Sequence, residues 1–164
     1  MISVYSESNH GTTFNIYLPI SNKAICQDIA AEEKISKGSE TILLVDDEEM
    51  IIGVGQAMLK NLGYHVVVAN GGKEAIEAVN NMGNEIDLVI LDLIMPGIDG
   101  GKAFDCIREI QPGMLVILAS GYAINGQANE IMRKGCNGFI QKPFNIYELS
   151  SKIRKMIDGG HKLN

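Results

Sequence analysis

The chain has 164 residues, 46% hydrophobic, 21% charged and 5% aromatic, with 14 Lys and Arg against 20 Asp and Glu for a formal charge of -6. This is the composition of one ordinary globular domain with some chain to spare. The acidic balance, without a basic cluster, offers no counterion-release drive toward nucleic acid and no attraction to an anionic membrane surface, so neither is expected as a partner.

The longest apolar runs, such as Asp87 to Met95, are strand-sized and bordered by charge, well short of the roughly 20 apolar residues of a membrane span. The first residues lack the basic start and apolar middle of a secretory signal. Cys26, Cys106 and Cys136 are odd in number and far apart, which fits a reducing cytoplasm. There is no CxxC or HExxH pattern, and His10, His65 and His161 are scattered, so no zinc site of soft ligands is expected.

In chain order, residues 1 to 20 begin with ISVY and TTFNIYLP, two stretches of strand composition flanking the turn-like SESNHG. They predict a β-hairpin, which is marginal alone in water and needs a partner surface. Residues 21 to 40 mix charges, alanines and small polar groups without a sustained apolar face, and are assigned as a linker with room for a partial helix over Ile25 to Ile35.

From Thr41 onward, short β-branched runs alternate with stretches of helical period, the pattern of repeated βα units. Five strands are predicted: Thr41 to Asp46, Tyr64 to Ala69, Ile86 to Asp92, Met114 to Ser120 and Asn137 to Gln141. The first, third and fourth are nearly unbroken apolar runs, which mark strands covered on both faces in the middle of a sheet. Ala75, Val79 and Met82 share one helical face, as do Ile146, Leu149, Ile153 and Ile157. A helix is also predicted over Glu48 to Leu62, although Gly53 and Gly55 each cost roughly 1 kcal/mol relative to Ala in a helix interior. Asn70 is a candidate N-cap and Gly63 a candidate C-cap. The fold class is α/β: a doubly wound, five-stranded parallel sheet of order 2-1-3-4-5, flavodoxin-like, with an N-terminal hairpin.

The acidic residues sit at strand ends. Asp46 and Asp47 close the first strand, Asp92 closes the third, and Glu48 and Glu49 follow the first pair. In this strand order the first and third strands are neighbours, and the crevice at their carboxyl ends is where ligands bind. Three carboxylates converging there need a compensating cation, and hard oxygen ligands favour Mg²⁺. Taken singly, Asp47, Glu48 and Glu49 are equally suited to favouring a helix start. Ser120 ends the fourth strand and Lys142 the fifth, so a hydroxyl and an ammonium join the same crevice. That set suits phosphoryl transfer, in which positioning and charge stabilisation dominate, with Asp92 as nucleophile.

Residues 41 to 158 resemble a response-regulator receiver domain of two-component signalling, of the CheY-like superfamily. The resemblance rests on VDDEE, LDLIMPGIDG, ILASGY and QKPF, in that order and at that family's intervals. It implies that Asp46, Asp47 and Asp92 hold Mg²⁺ with the backbone carbonyl of Ile94, and that Asp92 receives the phosphoryl group. It also implies that Ser120 and Lys142 contact the phosphoryl oxygens. Phe139 matches the family's switch aromatic, Pro143 the proline of a Lys-Pro bond that is typically cis, and Gly97 and Gly100 the loop after the phosphoacceptor. Ile94 and Tyr122 flank the site where the family controls water access; neither activates water well, so slow self-dephosphorylation is expected.

VYSESNHGTTFNIYLP resembles the closing strands of the ATP-binding domain of a sensor histidine kinase, with Asn9 in place of that motif's first glycine. The asparagine helix and aspartate-glycine loop that hold ATP are absent, so no ATP binding is expected. The implied organisation is a hybrid sensor kinase fragment: a hairpin remnant over 1 to 20, a linker over 21 to 40, the receiver over 41 to 158 and a tail over 159 to 164. Such a receiver catalyses its own phosphoryl transfer and slow hydrolysis. Its implied partners are a phosphodonor histidine on a kinase or phosphotransfer protein, and a downstream protein docking on the fourth helix, fifth strand and fifth helix. A haloacid-dehalogenase-like phosphatase fits less well, because it wants a second Asp where Ile94 stands. The other alternative is an interaction module that keeps the fold without using phosphate.

Overall fold

The computed structural model describes residues 1–18, 35–121 and 126–160. The chain divides into two compact units, 1–33 and 34–164. In the first, β1 (Ile2–Glu7) and β2 (Gly11–Ile16) form an antiparallel hairpin with Ile2 opposite Ile16 and Val4 opposite Phe14. Because side chains alternate along a strand, these four apolar residues share one face, and all four are exposed. Asn9, at φ 65°, makes the turn, a conformation that Asn tolerates better than most residues.

The second unit is a parallel sheet of order β4-β3-β5-β6-β7, which in chain order of its own five strands is 2-1-3-4-5. The strands are β3 (Thr41–Val45), β4 (His65–Ala69), β5 (Leu88–Asp92), β6 (Leu115–Ser120) and β7 (Gly138–Gln141). The three apolar runs, β3, β5 and β6, occupy the centre, as their two-sided hydrophobicity requires. Side-chain alternation splits each between two cores. Leu43, Val45, Val89, Leu91, Val116 and Leu118 pack under α2 (Gly72–Met82), α3 (Gly100–Ile110) and α4 (Gly126–Arg133). Ile42, Leu44, Leu88, Ile90 and Ile117 pack under α1 (Glu49–Asn61) and α5 (Ile146–Gly160). Each fully buried aliphatic side chain contributes about 1.5–3 kcal/mol, which outweighs the propensity cost of the two glycines in α1.

Several boundaries differ from the sequence expectation, each for a visible reason. Asp87 and Asn137 stand outside the strands because their side chains take over ladder positions: Asp87 Oδ2 accepts from the Thr41 N–H at 2.8 Å, and Asn137 Oδ1 from the Val116 N–H at 3.0 Å. Asn70 is not the N-cap of α2. That position belongs to Gly71, and Asn70 instead donates its backbone N–H and its side-chain amide to Glu74, four residues on. Gly63, at φ 94°, follows the C-cap Leu62 and terminates α1 in the left-handed conformation that glycine supplies. The expected partial helix up to Ile35 lies, except for Ile35 itself, outside the described residues. No helix among the described residues is long and apolar enough to cross a membrane.

Candidate functional site

The carboxyl ends of β3, β5, β6 and β7 open into a cleft of about 590 Å³ whose lining includes Glu48, Met50, Val54, Asp92, Ser120 and Lys142. Asp46 and Asp92 are buried at 2% and 6% exposure, whereas Asp47 is exposed. Each buried carboxylate is aimed by its own chain: Asp46 Oδ1 accepts from the Glu48 N–H at 3.1 Å, and Asp92 Oδ2 from the Ile94 N–H at 3.0 Å. Acceptance two residues ahead is the local turn that aspartate favours, and it leaves the second oxygen of each group facing the cleft.

Those second oxygens meet Lys142. Its Nζ lies 2.5 Å from Asp46 Oδ2 and 2.5 Å from Asp92 Oδ1. The Lys142 backbone N–H donates to Ser120 O at 2.7 Å, which ties the end of β7 to that of β6. Ser120 is 2% exposed, and the Lys142–Pro143 peptide is cis. Burial pushes the Asp92 carboxyl above its ordinary range, against the opposing pull of Lys142. For Lys142, burial acts to lower the ammonium's pKa, but hydrogen bonds and charge from Asp46 and Asp92 outweigh it and hold the value up.

The loop after Asp92 is shaped by glycine where the sequence placed it. Gly97 has φ 77°, and a side chain at Gly100 would overlap the Asp92 carbonyl. Asp99 caps α3 by accepting from the Lys102 N–H at 2.9 Å. Ile94 stands beside the cleft at 56% exposure. Phe139 is partly buried in β7, packed against the core under α2, α3 and α4. Tyr122 lies outside the described residues.

Among the described residues, Asp46, Asp47 and Asp92 form an acidic group whose ligand oxygens lie within 4.8 Å of one another. An all-oxygen set with two buried members suits a hard divalent cation. The sequence reading missed the apolar wall of the cleft, where Met50 and Val54 are exposed at 82% and 53%. Their four-residue spacing forms a stripe beside the Ile51, Met58 and Leu62 set, and that was the available signal.

A doubly wound sheet with an acidic pocket at its switch point and a lysine spanning two aspartates is the architecture of a receiver-type α/β domain. The chain matches the response regulator receiver domain family over residues 42–154, and it belongs to that family. It is 35% identical over 162 residues to the sensor kinase CckA of Brucella abortus, an alignment covering 93% of this chain and 17% of that protein. This chain therefore spans about a sixth of that relative's length. A response regulator receiver domain protein from Clostridium thermocellum superposes with a TM-score of 0.72 at 30% identity, over 76% of this chain and 99% of the other. The receiver domain of the sensor histidine kinase PA1611 from Pseudomonas aeruginosa superposes with a TM-score of 0.68 at 28% identity, over 74% and 99%. That structure has a magnesium ion coordinated in its active-site cleft. The protein is thus a receiver domain of two-component signal transduction.

Proposed function

We propose that Asp92 accepts a phosphoryl group from a histidine of a kinase or phosphotransfer protein in a Mg²⁺-dependent reaction, and that the product switches an interaction surface. The observation that carries this reading is Lys142 held 2.5 Å from both Asp46 and Asp92 in a cleft that Ser120 also lines. Asp92 attacks phosphorus as the bond from phosphorus to the donor's imidazole nitrogen breaks. The bonding pair leaves with that nitrogen, and an acyl phosphate remains on Asp92. Lys142 and Ser120 stabilise the charge on the phosphoryl oxygens. Asp46, Asp47 and Asp92, with the carbonyl of Ile94, would hold Mg²⁺, which when bound neutralises phosphoryl oxygens and orients them for attack.

The exposed Met50, Val54 and Ile94 beside the cleft suit a protein donor better than a small one. The output runs through Ser120 and Phe139 to the face of α4, β7 and α5, in a cytoplasmic setting. Hydrolysis is slow, because Ile94 brings no group able to activate water. Residues 1–20 are the closing strands of a kinase ATP-binding domain. Their apolar hairpin face and the 93% reach of the CckA alignment, beyond the receiver itself, support this.

The test is incubation with a small-molecule phosphodonor and Mg²⁺ followed by intact mass. Wild type gains one phosphoryl group that persists for minutes, and Asp92→Asn gains none. No gain in the wild type overturns the reading in favour of a phosphate-independent interaction module.

A further inference from the structure

Residues 36–40, which connect to the start of β3, do not run free through solvent. Ser150, one turn into α5 and 1% exposed, donates its hydroxyl to Ser36 O at 2.8 Å and accepts from the Ser36 N–H at 2.9 Å. One turn further, Arg154 reaches Glu40 Oε1 at 2.6 Å and Oε2 at 3.4 Å, and donates to Lys37 O at 3.4 Å. The Gly38 N–H donates to Leu62 O at 3.0 Å, at the end of α1. A side chain on Gly38 would overlap the Tyr64 ring and the Glu40 carboxylate, and one on Gly63 would overlap the Gly38 carbonyl. Two facing glycines thus let this segment lie against the α1 terminus while α5 grips its other side.

The closed arrangement is held and opposed at once. The hydrogen bonds favour it, yet the Tyr64 hydroxyl and Arg154 Nε are buried without a hydrogen-bond partner. Stranded polar atoms offset part of what the latch gains.

The site and the latch share a lever. α5 begins four residues after Lys142, and its start is fixed by Asn145, whose Oδ1 accepts from the Tyr147 and Glu148 N–H groups at 2.9 Å each. Glu148 returns the contact by accepting from the Asn145 N–H at 3.0 Å. With Leu149, Ile153 and Ile157 buried, α5 is one continuous packed element that joins the Lys142 end of β7 to Ser150 and Arg154. Hydrogen bonds weaken steeply once their angle closes below about 120°.

We propose that residues 36–40 are a strap, latched by Ser150 and Arg154, that is closed while Lys142 bridges Asp46 and Asp92 and opens when a phosphoryl group on Asp92 draws Lys142 away. The phosphoacceptor reading is presupposed here. The partner that senses the switch is then, in cis, whatever segment is joined to the chain at residue 35. Linkage makes the coupling reciprocal: what opens the strap favours the phosphoryl state, by the same factor.

Hydrogen exchange on the full 164-residue chain, with and without Mg²⁺ and beryllofluoride as a phosphoryl analogue, tests this. The Ser36 and Gly38 amides should exchange roughly fivefold faster with the analogue bound, and Ser150→Ala and Arg154→Gln should each bind it about two- to fivefold more tightly. The wild-type exchange needs no variant and decides the matter even if a substitution unfolds the protein. Protection gained around Asp92 and Lys142 with unchanged exchange at Ser36 and Gly38 makes the strap a static brace and overturns the proposal. No change anywhere, with no analogue bound, defeats the phosphoacceptor reading itself, and the strap proposal with it.

Discussion

Lys142 is the counter-charge that lets two buried carboxylates coexist, and the residue scale follows from it. Removing one partner of a buried ion pair leaves the others uncompensated, at a cost of about 3–5 kcal/mol. Lys142→Met should destabilise the fold by about 3 kcal/mol in urea denaturation, and millimolar Mg²⁺ should return part of the loss by supplying the missing positive charge. A melt unaffected by the substitution would mean that the Lys142 contacts carry little energy. Asp92 works in the opposite sense. Burial raises its pKa, so the folded state loses stability as pH climbs through that value, and at neutral pH the ionised group is a burden. Asp92→Asn keeps the shape and removes the charge, and should raise the melting temperature by roughly 2–5 °C in a circular-dichroism scan. That residues 46, 92, 120 and 142 meet was legible in the sequence, because strand-end position alone brings them together, whereas Lys142 as the counter-charge was not, since a divalent cation was expected in that place. The apolar wall of Met50 and Val54 was not, since nothing in a helical stripe says whether it faces a core or a cleft.

At the scale of elements, α1 shows how two identical residues differ. A Cβ on Gly53 meets nothing within 4 Å, so Gly53→Ala should stabilise by about 0.5–1 kcal/mol. On Gly55 it would sit 3.0 Å from Leu44 Cδ2, so the same change there should gain less, because Leu44 must shift. Paired urea melts check the ordering. The strap titrates through Glu40. Burial acts to raise that carboxyl, but the hydrogen bonds from Arg154 and the nearby backbone N–H groups prevail and hold it below the ordinary 4.5. A lowered acid pKa gives stability that is present above the ordinary value and lost as pH falls through the folded one. The ionisable groups around it are Arg154, Tyr64 and Asp158. The Gly38 amide signal should therefore move below about pH 4.5 in an NMR titration, and Glu40→Gln should abolish that step. The strands were legible because burial on both faces writes an unbroken apolar run. The strap was not: residues 36–40 have no apolar face, and their anchors Ser150 and Arg154 lie 114 and 117 positions away along the chain.

For the receiver as a whole, the two cores on either side of the sheet meet at its central strands. Leu91, at 0% exposure in β5, belongs to the layer under α2 to α4, and Leu91→Ala should cost about 2–5 kcal/mol by the cavity it leaves. A much smaller loss in equilibrium denaturation would show that this layer collapses into the void. The overall architecture followed from alternation and strand order. The start of α2 did not, because Glu74 reaches back to Asn70 by a side-chain preference that local composition conceals. The pairing of Ser36 with Ser150 also has a geometric corollary. Because Ser36 meets Ser150 while Glu40 meets Arg154, the incoming polypeptide runs beside α5 in the same direction, and the end of that helix at Gly160 lies ten residues, about 15 Å, beyond Ser150. Inlet and outlet therefore stand apart along the helix, so units spliced on either flank are held at separate points rather than meeting at one.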